Sequence, residues 1–317
     1  MDVATHALTG WTLARCGLDR LTPRATWIAI LAATAPDADL ALRAIRPSDY
    51  LLWHRGPSHS LVLLPLIAAI CVALVALVFR TRLPWVKAWL VAVAAGASHL
   101  LIDAINPAGA QWFWPFNEEW VHIDLTRRGD PWIAAILCVF AAAPALSRLV
   151  SSEIGARSTK GRGAAIFALV LVCLYAGVRY QFHLRALAML DSRLYDRVAP
   201  KRAAVVPEPL HPFRWDGLID TGGFVRELPV DTLGQFNPDA GMTYYPPENQ
   251  AAVEAVAAGA LYRRMRPRMS WTVVEAIPED ETIQVTIREL RLGWIYQAVV
   301  DKAGRLQSEK FMLDRSK

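Results

Sequence analysis

The chain has 317 residues, 54% of them hydrophobic, with a positive mean hydropathy and a formal net charge of +5 at neutral pH. Its basic residues are scattered among short loops instead of forming one stripe, which argues against a nucleic-acid partner and for membrane-topology signals. Cys16, Cys71, Cys138 and Cys173 lie in or beside apolar segments with no CxxC spacing, so neither a disulfide framework nor a cysteine-rich zinc site is implied.

The opening stretch, MDVATHALTGWTLARCG, lacks the basic n-region of a secretory signal, and His6, Thr9 and Thr12 interrupt its apolar run. It is expected to stay on the mature protein. Val3–Ala14 predicts a weakly polar helix and Ala25–Ala35 an apolar one, separated by CGLDRLTPR with Gly17 and Pro23 as breakers. We read the pair as a helical hairpin dipping into the membrane.

Four transmembrane helices are expected next, at Leu61–Phe79, Ala88–Ile102, Pro131–Ser147 and Gly163–Val178. The last three are short against the roughly 20 apolar residues that a bilayer core requires. Snorkelling Arg and Lys can lengthen them, as can the interfacial Trp53, Trp85, Trp89, Trp112, Trp114, Trp120 and Trp132.

After about residue 200 prolines and charges dilute the apolar blocks. There PEPLHPFRWDGLIDTGG and NPDAGMTYYPPENQ read as loops, and ENQAAVEAVAAGALYRRM has helical spacing. WTVVEA, ETIQVTIREL and GWIYQAVVDKAG alternate as strands, the last two runs suited to antiparallel pairing. The expected fold is therefore mainly α: a polytopic helical membrane domain over 1–183, with the hairpin and four spans, followed by a small soluble α+β domain over 200–317 of unknown role.

Basic residues set the orientation. With the hairpin turning at 15–24, one side carries Arg15, Arg20, Arg24, Arg80, Arg82, Lys87, Arg148, Arg157, Lys160 and Arg162, against Asp19 and Glu153. The positive-inside rule makes that side cytoplasmic, although Arg127, Arg128 and the basic cluster after Arg179 pull the other way. Both termini, the HRGPSHS loop at 54–60, the 106–130 loop and the C-terminal region then lie outside the cytoplasmic membrane.

On that same side fall His6, Asp37 and Asp39, His54 and His59, and His99 with Asp103, although none of them was used to choose the topology. His99 and Asp103 are i,i+4 and project from one helix face, with Asn106 after them. Gly56 and Pro57 turn the chain so that His54 and His59 can converge, and Ser58 is a candidate N-cap for the following helix. Asp37 and Asp39 would diverge on a regular helix, but Pro36 suits a frayed first turn where one or both can turn inward. Imidazole with carboxylate suits a divalent metal, Zn²⁺ first, with Mn²⁺ or Fe²⁺ also fitting, and one or two ions are feasible. Bland readings stand beside this one. His99 and Asp103 can be an interhelical hydrogen-bonded pair, and His6 a polar residue of the hairpin. Arg55 can anchor to a headgroup or hold a substrate phosphate. His122 and Asp124 read as surface residues, and His183 and His211 as residues with no special role.

At these residues the chain resembles the predicted membrane-bound metal-dependent hydrolase family, the YdjM/YbcI-like proteins. The matching features are TH at 5–6, PDAD at 36–39, HRGPSHS at 54–60, SHLLIDAINPAG at 98–109, WPF at 114–116 and DPW at 130–132, together covering about residues 1 to 150. Pro57 stands where the HRGxxH segment more usually has threonine or a bulky residue. The resemblance implies that His6, Asp37, Asp39, His54, His59, His99 and Asp103 bind metal and that Asp130 belongs to the site. All-helical zinc phospholipase C and nuclease sites are similar in chemistry, though not in sequence.

The expected function is a membrane metallohydrolase, cleaving a phosphoester of a lipid or envelope precursor with a metal-activated water. Arg55 would neutralise phosphate, and Asp39 or Asp130 would act as general base. Membrane lipid is the expected partner, and the sequence leaves the oligomeric state open. Two alternatives are a transporter, whose ligands should continue across the bilayer, and a scaffold whose metal is structural with a filled coordination shell.

Overall fold

The computed structural model describes residues 1–42, 50, 53–127, 129–154 and 161–313, with the side chains of 144 and 146–154 left aside. Arg128, Arg157 and Lys160, and the side chain of Arg148, which entered the topology argument, therefore lie outside what is described. The chain divides into two units, Met1–Tyr180 and Gln181–Lys317.

The first unit begins with the expected hairpin. Helix α1 spans Val3–Arg15, and the Asp2 side chain caps it by accepting from the Thr5 amide. Gly17, at a φ of 133°, and a 3-10 turn over Leu18–Arg20 reverse the chain into α2, Ala25–Thr34. The two helices pack closely because Gly10 faces α2: a Cβ built there would sit 2.5 Å from the Ala29 carbonyl oxygen and 2.8 Å from the Ala33 Cβ. Neither neighbour can yield easily, one being backbone and the other a methyl fixed to it. Gly10→Ala is thus expected to cost about 1–3 kcal/mol through overpacking, read as a lower unfolding midpoint in detergent. An unchanged midpoint would contradict this helix contact.

Pro36 has no amide hydrogen, and its ring collides with the carbonyl one turn back, so the α-helix ends there. The chain continues as a 3-10 helix over Ala35–Ala41. A second 3-10 turn, Pro57–His59, leads to α3, Leu64–Val78. Helix α4 spans Trp85–Ala104, and α5 and α6 span Pro131–Ile154 and Arg162–Asp191. Ala25, Ile28, Ala29, Ala32 and Ala33 of α2 share one core with Ala68, Val72 and Val75 of α3 and with Ala88, Val91, Ala92 and Ala95 of α4. Small residues let these backbones approach, as in membrane helix packing.

Helices form at all four expected spans, but two of them, Trp85–Ala104 and Arg162–Asp191, are long and apolar enough to cross a membrane. Leu64–Val78 falls short, and of α5 the apolar part among the described residues is Pro131–Ala143. Residues 61–63 form a turn before Pro65 starts α3, so its 15 residues reach about 22 Å at 1.5 Å per residue. A hydrocarbon core is roughly 30 Å thick. Among the described residues two helices have spanning length, so two of the four expected spans are supported, and α3 is a shorter apolar helix.

The second unit holds two antiparallel four-stranded sheets. Strands β1 (Arg202–Pro207), β2 (Arg214–Asp220), β3 (Val225–Asp231) and β4 (Met242–Tyr244) pair in sequence order. So do β5 (Thr272–Pro278), β6 (Thr282–Glu289), β7 (Trp294–Asp301) and β8 (Leu306–Leu313). Val206 and Leu218 of the first sheet share a core with Trp271, Val273 and Leu290 of the second. The helical run is broken at Gly259 into α7, Gln250–Ala257, and α8, Ala260–Met265. The stretches read as loops contain β2, hidden behind Pro207, Pro209 and Pro212, and β4, which has only three residues. The N-terminal end of this unit, Gln181–Asp191, lays Ala186 and Leu190 on the first sheet.

Candidate metal centre

Three segments of chain bring four ionisable side chains to one buried point. Asp37 comes from the 3-10 helix after α2, His59 from the Pro57–His59 turn, and His99 and Asp103 from consecutive turns of α4. Each offers one ligand atom, and the four atoms lie within 4.8 Å of one another. His59 Nε2 is 3.0 Å from His99 Nε2, 3.2 Å from Asp103 Oδ2 and 3.8 Å from Asp37 Oδ1, and His99 Nε2 is 3.4 Å from Asp103 Oδ2. A tetrahedral ion with bonds of about 2.0–2.2 Å sets its ligand atoms roughly 3.3–3.6 Å apart, so these spacings fit one ion with little movement.

The surrounding hydrogen bonds decide where the imidazole protons sit. His99 Nδ1 is 2.7 Å from the Ala33 carbonyl, which only accepts, so Nδ1 donates and a neutral ring turns the Nε2 lone pair inward. Ser58 Oγ donates to Asp39 Oδ2 at 2.7 Å and accepts from His59 Nδ1 at 2.9 Å, which turns the second Nε2 lone pair to the same point. With both rings neutral, two lone pairs 3.0 Å apart repel, and either a proton on one Nε2 or a metal ion between them relieves this. Asp37 Oδ2 and Asp103 Oδ2 are likewise buried without a hydrogen-bond partner. Orphaned acceptors of this kind are costly in a low-dielectric site, and a divalent cation removes the cost. This buried Asp-His-His-Asp group can hold a metal ion.

The other expected ligands stand around this set. His6 stacks on His99 with ring centroids 3.7 Å apart, its Nε2 3.3 Å from Asp103 Oδ1, and neither ring nitrogen has a hydrogen bond. Asp39 binds His54 Nδ1 at 2.9 Å and the Arg55 amide at 3.1 Å, besides Ser58. Burial pushes the Asp39 carboxyl up, but the hydrogen bonds and charge of His54, with His59 and Ser58, hold it below its ordinary value. Tyr50 stacks on His54 with centroids 4.6 Å apart. Groups that orient a ligating histidine in this way typically change metal affinity 10- to 100-fold when removed. Asp39→Asn is expected to weaken metal binding about 10- to 100-fold in a chelator competition titration, and unchanged affinity would remove Asp39 from the site's support.

Arg55 is buried at a φ of 66° and reaches the centre. Its Nη2 lies 3.2 Å from Asp103 Oδ1, and Nη1 donates to Asn106 Oδ1 at 3.4 Å and the Gly109 carbonyl at 3.3 Å. The Met1 amino group also contacts Asp103 Oδ1. Arg55 Nε is buried without a partner. Asp130 sits elsewhere in the hydrogen-bond pattern: Oδ1 accepts from the Trp132 and Ile133 amides, capping α5, and Oδ2 accepts from the Tyr175 hydroxyl. His122 pairs with Asp124 at 2.8 Å, and the His183 ring packs edge-on against Trp215 in the second unit. Ser58, expected as an N-cap, serves Asp39 and His59 instead, and α3 has no side-chain cap. Sequence reasoning missed that relay and the Ala33 carbonyl. The seryl hydroxyl between two histidines was its only visible trace.

The helical part of the chain is similar to known proteins. The family model described as "YdjM inner membrane protein" matches residues 1–186. Among curated proteins, "Uncharacterized protein YfhP" of Bacillus subtilis is 30% identical over 141 residues, which is 42% of this chain and 43% of that protein. "Inner membrane protein YbcI" of Escherichia coli is 31% identical over 121 residues, 37% of this chain and 69% of that protein. The chain thus spans less than half the length of the first relative and about two thirds of the second. No solved structure matches the chain.

Proposed function

This chain belongs to the YdjM inner membrane protein family, and on that premise we propose that it is a membrane-embedded metal-dependent phosphoester hydrolase acting on a lipid or envelope precursor. The observation that carries the reading is the inward-turned Nε2 pair of His59 and His99, set with Asp37 and Asp103 and fixed from behind by Ser58 and Ala33. Zn²⁺ suits this nitrogen and carboxylate set best, with Mn²⁺ or Fe²⁺ as substitutes. Four ligand atoms account for one ion, which takes a water only by expanding to five ligands, and a second ion would require His6 or the Asp39–His54 pair to turn. When bound, such an ion lowers the pKa of water to roughly 7 and polarises a phosphoryl oxygen.

The chain's own groups supply the rest. Arg55 has a free Nε and lies against the ligand set, so it can meet a phosphate that competes for its contact with Asp103. Asp39, held ionised, takes the proton of the attacking water as the phosphoester P–O bond breaks. Asp130 holds the start of α5. A lipid substrate is favoured by an apolar rim tied directly to the site: Leu61 donates to the Trp112 carbonyl, and Gln111 donates to the Arg55 carbonyl. Phe113 and Phe116 of that segment are 48% and 84% exposed. The surplus of basic residues on the opposite turns supports an extracytoplasmic site.

The test is hydrolysis by metal-loaded protein in mixed micelles of phospholipid and detergent, beside a soluble aryl phosphate. The reading expects release of phosphate or headgroup, abolished by a chelator and restored by Zn²⁺ or Mn²⁺. A fully loaded protein that cleaves no phosphoester would overturn it and favour a structural metal.

A further inference from the structure

We propose that the β1–β2 and β3–β4 loops of the C-terminal unit are membrane anchors, with Leu210 and Leu233 seated in the lipid surface from which α6 emerges. The apolar run of α6, Gly163–Val178, is 16 residues long. A hydrocarbon core that takes about 20 residues therefore extends to the region of Phe182, some 6 Å beyond Val178 along a helix. Tyr180 and Leu184, on either side, are exposed, as befits residues at the lipid boundary.

Phe182 marks which end of the first sheet lies at that boundary. Its ring packs edge-on against Phe213 with centroids 4.9 Å apart, and His183 packs likewise against Trp215 at 5.4 Å. Leu190, two turns later, lies against Gly217, so the helical segment runs along the sheet away from Phe213. Phe213 belongs to the β1–β2 loop. The β3–β4 loop is tied to the same end, because the Thr232 amide and hydroxyl both donate to the Phe213 carbonyl at 3.1 and 2.8 Å. Both loop tips expose a leucine, Leu210 at 73% and Leu233 at 61%. Beside them the exposed Arg214 pairs with Asp231 at 3.3 Å, at the depth where a guanidinium meets headgroups. At the opposite end of the sheet Lys201 packs over Gly222, and the exposed Val198 and Tyr245 lie near it, Tyr245 against Phe224. Two apolar tips at the end of the sheet where Phe182 reaches the lipid boundary fit a bilayer surface as the occupant.

The experiment uses the full chain in nanodiscs of phosphatidylethanolamine and phosphatidylglycerol, with the photocrosslinker p-benzoylphenylalanine placed at position 210, 233 or 201 in turn. Each site is an exposed surface position, so the fold is retained, and mass spectrometry identifies the adduct. The proposal expects lipid adducts from positions 210 and 233 and none from position 201. Adducts to a second copy of the chain, or no lipid adduct from either loop, would overturn it.

Discussion

Replacing His99 by alanine is expected to lower metal affinity by more than about 100-fold, because removing a ligand should exceed the 10- to 100-fold typical of groups that only orient one. The substitution removes the inward Nε2 and also the Nδ1 contact with Ala33 that ties α4 to α2. Misfolding is therefore a competing explanation, and Asp103→Asn separates the two. It keeps the shape of the side chain at position 103 while removing the charge that faces His59 and His99 across 3.2 and 3.4 Å. Both variants should purify without stoichiometric metal, and Asp103→Asn should do so with an unchanged helical circular dichroism spectrum. Full metal content in either variant would exclude that residue from the ligand set.

Arg55→Ala should leave metal content near one equivalent and lower kcat/KM for a phosphoester by about 100- to 1000-fold, the usual effect of losing one preorganised donor to developing charge. Arg55→Lys should restore only part of this, since an ammonium lacks the planar fork that contacts Asp103, Asn106 and Gly109 together. A variant that loses metal and activity in proportion would make Arg55 a support for Asp103 and not a phosphate group. Unchanged kcat/KM would remove it from catalysis altogether.

His99 and Asp103 were legible because a four-residue spacing on a regular helix fixes which side chains share a face. Asp37 and Asp39 were ambiguous for the opposite reason. On the 3-10 helix over Ala35–Ala41, two residues make two thirds of a three-residue turn. One carboxylate therefore joins His59 and His99 while the other faces His54 and Ser58. Sequence could name both residues and foresee their divergence, but it could not say which would turn inward. The Gly109 and Ala33 carbonyls that meet Arg55 and His99 were hidden because backbone carbonyls carry no sequence signal. The membrane half was overestimated at α3, where apolar composition does not reveal that Leu61–Leu63 turn before the helix begins. In the C-terminal unit, β5 to β7 stood out through alternation. In β3 an exposed Pro229 interrupts the pattern, although it is register partner to Asp216.

The central claim, that the Asp37, His59, His99 and Asp103 side chains hold one metal ion, is tested most directly by metal analysis followed by X-ray absorption spectroscopy of the detergent-purified protein. The account predicts about one equivalent of metal with a nitrogen and oxygen shell near 2.0–2.2 Å, outer scattering from two imidazoles, and no sulfur near 2.3 Å. A protein that takes up no metal on reconstitution, or an ion bound through sulfur, would contradict it.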